Sequence, residues 1–398
     1  MTELYPIKHE GDILTVGSGG ESIVINDSRR NLYLWVDPDT AVRVDEFIDE
    51  RSYLRVGNVS LPIGSWVESV PYLNVRTFDD VDEVVRFLAR HVRSYLEGKT
   101  VVLTYSGGKD STAALILTLE LQKYIDFKLR VAYVYMPYLE AQRNVRFVEY
   151  VGSRLGIDVE VLEPKRRYVR KLLKWVGLPR RGNRWCTYLK VRPLRDIIRG
   201  NPDVVEGVAD RVFESPKRAL RLIKRLKNGF IASAKRFTPV EFMTITDVMC
   251  IVKRYGLIHP AYIDGLPRVS CTLCPYKTLY EFNVREDLED EGLIEEVLKK
   301  EHSKGRVYSK IPLDDFLENA LWRFKPAVSY RLYRIKNALR KYLSDLEVKS
   351  YREVLDMHVR SWECVGDLRR VAEKVTIKDL INKLEGVLNL VGAGSGSG

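Results

Sequence analysis

The chain has 398 residues, 45% of them hydrophobic, and carries 65 Lys and Arg against 54 Asp and Glu, a formal charge of +11. That length provides for two or three units with a large buried core. No apolar run approaches the roughly 20 residues of a bilayer span, and the positive balance favours anionic partners such as nucleotides, sulfate esters and RNA.

The opening Met1-Thr2-Glu3-Leu4-Tyr5 is not a signal peptide, and the cytoplasm is the expected location. Gln122 and Gln142 are the only glutamines while Glu, Lys, Arg and Tyr abound, a bias of thermophilic chains. Basic residues concentrate in Lys165 to Arg184 and Lys217 to Arg236; solvated helix faces account for about half of them, and RNA phosphates are the natural ligand for the rest.

In chain order, residues 1–75 read as a small β-rich unit. Ile13–Val16, Ser22–Ile25 and Leu32–Val36 are short strands, and Gly17 to Gly20 reads as a hairpin turn rather than a second phosphate loop. Val81 to Leu96 is an amphipathic helix. An alternation follows: strand 100–105, helix 111–124, strand 129–136, helix 139–155, strand 158–163, helices 167–176 and 191–199, and strand 204–207. This pattern specifies an α/β fold with a doubly wound parallel sheet, and ligands of such sheets sit beyond the carboxyl ends of the strands. The second half reads as helical: 242–255, 291–301, 313–345 and 350–388, the last with an apolar stripe from Val375 to Leu388. The expected units are therefore 1–75, an α/β domain over 76–285, and a helical region over 286–390. Residues 391–398 are a Gly/Ser linker outside the fold.

The stretch everything else serves is Val101-Val102-Leu103-Thr104-Tyr105-Ser106-Gly107-Gly108-Lys109-Asp110-Ser111. It runs strand, tight loop, helix, so the loop lies at a helix N-terminus, where free N–H groups and the dipole favour an anion. Gly107 and Gly108 let the backbone approach closely. Ser106 and Ser111 add hydroxyls and Lys109 a charge, and a carboxylate at Asp110 beside phosphates points to a shared Mg²⁺. The spacing is not that of a Walker loop.

Ser106 to Ser111 resembles the PP-loop of the ATP pyrophosphatases, which cleave ATP between the α and β phosphates. The resemblance implies the adenine nucleotide α hydrolase-like (HUP) form of the doubly wound fold. Three further blocks resemble the phosphoadenosine-phosphosulfate (PAPS) reductase-like branch, of archaeal or thermophilic type, over roughly 98–280. They are Trp185-Cys186-Thr187 with Lys190 and Pro193-Leu194; Arg211, Glu214, Ser215 and Arg218; and Pro260, Tyr262, Gly265, Arg268, Cys271, Cys274 and Pro275. The iron–sulfur reductases of that branch carry a Cys-Cys pair where this chain has Trp185-Cys186, and their nucleophilic Glu-Cys-Gly segment has only a faint echo at Glu363-Cys364-Val365-Gly366. Reductases act on a nucleotide that is already adenylated and tend to lose the PP-loop, which is intact here.

The resemblance implies ATP and Mg²⁺ as ligands. It assigns Lys109, Asp110, Lys190 and Arg211 to catalysis, and Ser106, Gly107, Gly108, Lys109, Asp110, Ser111 and Arg218 to nucleotide binding. With so few cysteines in a cytosolic chain, a disulfide framework is not expected. Cys271-x-x-Cys274 has metal spacing and Cys186 is the natural third ligand. A [4Fe–4S] cluster with one open iron, a Zn²⁺ with a fourth ligand such as His259, and a redox dithiol all stay open. Cys250 reads as a core residue and Cys364 as a core or surface thiol. Three functions follow: ATP-dependent sulfur transfer with tRNA or other RNA as acceptor and an unassigned sulfur donor, sulfonucleotide reduction, or a non-catalytic nucleotide-binding assembly subunit. A homodimer is compatible with each.

Overall fold

The computed structural model describes residues 4–6, 32–50, 53–62, 75–199, 201–212, 232–233, 235–365 and 372–379. The expected strands Ile13–Val16 and Ser22–Ile25, the turn at Gly17 to Gly20, Glu214, Ser215, Arg218 and the stripe beyond Asp379 lie outside them.

The centre is a doubly wound α/β sheet, as the alternation specifies. Its strand order is Ala232–Ser233, Arg236–Phe237, Val204–Gly207, Thr100–Tyr105, Lys128–Val134, Val159–Leu162. All neighbours are parallel except the short antiparallel edge Ala232–Ser233. The chain leaves Thr100–Tyr105 toward one edge, through Lys128–Val134 and Val159–Leu162. It then returns to the other side at Val204–Gly207. The order therefore reverses beside Thr100–Tyr105, the place where such sheets open a crevice for ligands. Val101, Val102 and Leu103 are fully buried in that strand, as a strand covered on both faces requires. Gly207 lies against Leu103, and a Cβ there would come within 3.2 Å of the Leu103 Cα.

The helix Val81–Leu96 packs Val84, Val85, Leu88, Val92 and Leu96 against this core, and Asp80 caps it by accepting from the Glu83 N–H. Such a cap contributes about 1 kcal/mol. The helix expected from 242 begins at Ile245, because Thr244 and Asp247 form a capping box that fixes its first turn.

A second core joins chain regions far apart in sequence. Leu4–Pro6, Leu32–Trp35, Thr40–Arg43 and Val348–Ser350 form one antiparallel sheet in that order. Leu32 to Trp35 are fully buried, together with Tyr280, Phe316, Leu332 and Leu339. The helical expectation for the second half needs correction in two places. Residues 313–345 are not continuous: the helix Leu313–Glu318 stops where Ala320 takes a left-handed φ of 45°, and Pro326 starts a new helix, Pro326–Arg340. Residues 350–388 do not form one helix either. Tyr351–Cys364 is helical, but Glu373–Lys374 is a strand paired with Val75–Arg76, and the Val375 N–H donates to the Arg76 carbonyl. Strand pairing has taken the backbone that a helix would need. Among the described residues no helix is long and apolar enough to cross a membrane.

Candidate active site

The loop Ser106-Gly107-Gly108 joins the central strand Thr100–Tyr105 to the helix Lys109–Leu121, at the reversal of strand order. Gly107 has a φ of 74°, a left-handed conformation that glycine adopts freely. The loop braces itself. The Ser111 hydroxyl donates to the Gly108 carbonyl at 2.9 Å, accepts from the Ser106 N–H at 3.2 Å and lies 2.9 Å from Ser106 Oγ. The Tyr262 hydroxyl accepts from the Lys109 N–H at 2.9 Å. Among the described residues the amide N–H groups of Gly107, Asp110 and Ser111 have no hydrogen-bond partner. Three free donors at a helix N-terminus form an anion nest.

Charge is arranged behind that nest. Asp110 accepts from Lys109 Nζ at 3.2 Å and from Arg211 Nε, and Arg211, 4% exposed, also donates to the Met243 carbonyl at 3.4 Å. Burial alone would raise the Asp110 carboxyl, but Arg211 and Lys109 overcome it and hold the group well below the usual carboxylate range. Arg211 follows the strand Val204–Gly207, so this ion pair ties the two sides of the crevice together. Both Asp110 oxygens that the sequence reading offered to Mg²⁺ are held by cations.

A second polar cluster lies beyond the carboxyl end of the neighbouring strand Lys128–Val134. Its hub is Glu140, a buried carboxylate that no motif in the chain singles out. Glu140 accepts from Tyr133 Oη at 2.7 Å, Lys190 Nζ at 2.7 Å, the Met136 N–H at 3.2 Å and Asn144 Nδ2 at 3.2 Å. The Cys271 thiol reaches it at 3.6 Å. Burial would raise Glu140, yet Lys190 outweighs it and keeps the carboxyl ionised. Burial would lower Lys190, and the Glu140 carboxylate pushes it up instead. Burial and then Glu140 push the Cys271 thiol far up, so Cys271 is protonated and donates. Burial also raises Cys186.

Cys186, in the first turn of the helix Trp185–Ile198, and Cys271 both pack against the second core, and the Cys274 N–H donates to the Cys271 carbonyl at 3.1 Å. This helix begins six residues before its expected start, with the Trp185 indole N–H anchored on the Gly177 carbonyl at 3.1 Å. Arg181 fixes the cysteine loop by donating to the Pro275 carbonyl at 2.8 Å. The structure thus brings the three predicted thiols and Lys190 to one wall. Thiols of this kind suit a metal in donor type, but among the described residues no group of three His, Cys, Asp or Glu side chains is arranged to hold one. Cys250 stands apart and donates to the Val365 carbonyl.

His259 links the two clusters. Its ring packs on the Phe147 ring, with centroids 4.5 Å apart, and its Cδ2 lies 3.7 Å from where a Cβ on Gly107 would stand. Nδ1 accepts from the Ala261 N–H at 3.0 Å, so the ring caps a turn rather than offering that nitrogen to zinc. Burial and the nearby Arg143 push its pKa down to about 3, while Glu140 opposes them.

Residues 100–277 match the model of the phosphoadenosine phosphosulfate reductase domain. An uncharacterised protein of Methanocaldococcus jannaschii is 29% identical over 239 residues, which cover 57% of this chain and 46% of that protein. An uncharacterised 37.8 kDa protein of Escherichia phage 186 is 25% identical over 229 residues, covering 46% of this chain and 69% of that protein. The chain thus spans about half the length of the first of these relatives. Among solved structures, the U34-tRNA thiolase NcsA from Methanococcus maripaludis with its [4Fe-4S] cluster aligns with a TM-score of 0.35 at 14% identity, covering 66% of this chain and 80% of that one. An NAD⁺ synthetase from Burkholderia pseudomallei aligns with a TM-score of 0.29 at 18% identity, covering 67% and 90%. The domain match, and not these overlaps, carries the family likeness: residues 100–277 form a phosphoadenosine phosphosulfate reductase-type domain of the PP-loop superfamily.

Proposed function

We propose that the protein cleaves ATP to AMP and pyrophosphate and thereby activates an acceptor, RNA among the candidates, for sulfur transfer. The observation that carries this reading is the nest of three unbonded N–H groups at Gly107, Asp110 and Ser111 beside the Lys109 ammonium. In the proposed reaction an acceptor oxygen attacks the α-phosphorus. The bond from that phosphorus to the α–β bridging oxygen breaks, and pyrophosphate leaves with the bonding electrons, toward the loop. A sulfur nucleophile then attacks the adenylated carbon, a C–S bond forms and AMP departs. Mg²⁺ accompanies the nucleotide, and Lys109 meets the phosphate charge. Arg211 acts through Asp110, which it holds in place. Lys190, anchored on Glu140, meets negative charge on the acceptor side.

The test is product analysis with α-labelled ATP. AMP and pyrophosphate are expected, and loss of both in Lys109→Ala. Formation of ADP and phosphate instead would remove the proposal. The family match favours one second reading, reduction of a sulfonucleotide, which would consume an electron donor and need no ATP.

Within this proposal Cys186, Cys271 and Cys274 are the ligands of a [4Fe–4S] cluster or a Zn²⁺. Their spacing and shared wall support it, although Cys271 would have to release Glu140, and no step above passes through such a group. A cluster on three thiolates leaves one iron open to a sulfur ligand. Anaerobically purified protein should contain about four irons per chain and be brown. Cys186→Ala, Cys271→Ala and Cys274→Ala should each lose the colour, and Cys250→Ala should keep it. Colourless protein without bound metal would discard the assignment.

A further inference from the structure

The helix Trp185–Ile198 presents two different faces. Leu194, Ile197 and Ile198 pack on Val102, Ala132 and Val204 of the central sheet, and Lys190 turns inward to Glu140. The opposite face carries Tyr188, Arg192, Arg195 and, just past the helix end, Arg199. These positions are separated by four, three and four residues, the repeat that aligns side chains along one side of a helix. All four are exposed, Tyr188 by 60%.

What distinguishes this stripe is the lack of counter-charge. Among the described residues Arg192, Arg195 and Arg199 make no ion pair, and Asp196, the helix's one acid, pairs with none of them. The preceding helix, Arg166–Val176, has five basic residues, and three of them are answered by acids. Arg166 pairs with Glu163 and Glu289, Arg170 approaches Asp290 at 3.9 Å, and Lys174 approaches Glu296 at 3.7 Å. Three exposed guanidinium groups in a row, unpaired and fixed to a rigid sheet, call for a polyanion. The aromatic ring at the head of the row narrows the choice, because a base can stack on Tyr188 whereas an acidic peptide has nothing to place there. Trp175, 75% exposed with Lys171 Nζ 4.1 Å from its ring centroid, offers another such surface two residues before Gly177, on which Trp185 is anchored.

We infer that this outer face is a docking surface for single-stranded RNA, with phosphates on Arg192, Arg195 and Arg199 and a base stacked on Tyr188. The inference names the acceptor class for the reaction proposed above and rests on that reading for its purpose. The strand would run along the helix toward its N-terminal turn, where Cys186 and Lys190 line the inner side.

The test is fluorescence anisotropy of the full chain with a labelled single-stranded 20-nucleotide RNA, measured over a salt series. Each phosphate contact on a single strand contributes about 0.7 to the slope of log affinity against log salt. Arg192→Ala, Arg195→Ala and Arg199→Ala combined should therefore reduce that slope by about 2. Tyr188→Ala should weaken binding about tenfold, and Tyr188→Phe should restore it. Arg166→Ala with Arg170→Ala should change the slope by less than the triple variant. Circular dichroism of each variant checks that it is folded. ATP binding by calorimetry in the same variants separates the two ideas. RNA binding that follows the stripe in a protein that binds no ATP keeps the docking surface and removes the reaction. ATP binding with an RNA slope indifferent to the three arginines overturns the docking surface, as does tighter binding of a poly-glutamate peptide than of the RNA.

Discussion

At Asp110 one carboxylate serves two cations, and the two have different work. Arg211 is buried and Lys109 borders the nest, so their removal should have different consequences. Lys109→Ala leaves the Asp110–Arg211 pair intact and removes the ammonium beside the free N–H groups. ATP affinity should fall by roughly 1.5–3 kcal/mol, the range of a charge-assisted hydrogen bond, with little change in stability. Asp110→Ala instead strands Arg211 in the interior and should cost about 3 kcal/mol of stability. Calorimetric titration and denaturant unfolding of the two variants read these outcomes; equal ATP affinity in Lys109→Ala would take the loop out of the site. Ser106 to Ser111 was legible because its chemistry is local, with six consecutive residues carrying the whole signal. Glu140 was not, because its partners Tyr133, Lys190 and Cys271 come from three separate segments and a lone glutamate carries no pattern.

Elements were legible where period and punctuation agreed. The helix Val81–Leu96 shows a clear apolar face and an Asp cap, and it lies where the period puts it. The helix Trp185–Ile198 begins earlier than expected, because its start is set by a tertiary anchor, the Trp185 indole on the Gly177 carbonyl, that no local pattern announces. The short segment Pro260–Ile263 was recognisable only as part of a motif, yet it carries Tyr262 to Lys109 and sets His259 against Gly107. Its exit is Gly265, at a φ of 83°, where a Cβ would stand 2.8 Å from the Leu355 carbonyl oxygen and 2.9 Å from its Cα. Backbone cannot move aside as a flexible side chain can, and the φ itself disfavours any other residue. Gly265→Ala should therefore destabilise the fold by about 2–4 kcal/mol and weaken ATP binding by displacing Tyr262. A thermal midpoint within a degree of the parent would show that helix Tyr351–Cys364 does not confine this turn.

Across the whole molecule, two buried imidazoles couple folding to pH. Burial, then Arg143 for His259 and Lys109 for His358, lowers each pKa to about 3. Unfolded histidine titrates near 6.5. Between those values the unfolded chain holds protons that the folded chain refuses. The stabilisation is therefore complete above about pH 6.5 and is lost as pH falls toward 3. Replacing one ring should flatten the dependence: stability of His358→Gln measured against the parent should gain roughly 1 kcal/mol per pH unit on descending from 6 to 4. Parallel stability curves for the two proteins over that range would show that His358 is charged in the folded state.

The pairing of Thr40–Arg43 with Val348–Ser350 has a consequence in time. A ribosome adds about 5–20 residues per second, and roughly 300 residues separate the two strands, so the first waits some tens of seconds for its neighbour to exist. The parallel sheet around Thr100–Tyr105 can be complete well before then, since its strands end at Phe237. Nascent chains should accordingly acquire the nucleotide loop while Thr40–Arg43 still lacks its partner strand and Leu32 to Trp35 still lack Tyr280, Phe316, Leu332 and Leu339 of their core. That leaves an apolar, β-prone stretch for a chaperone to shield until synthesis passes Ser350.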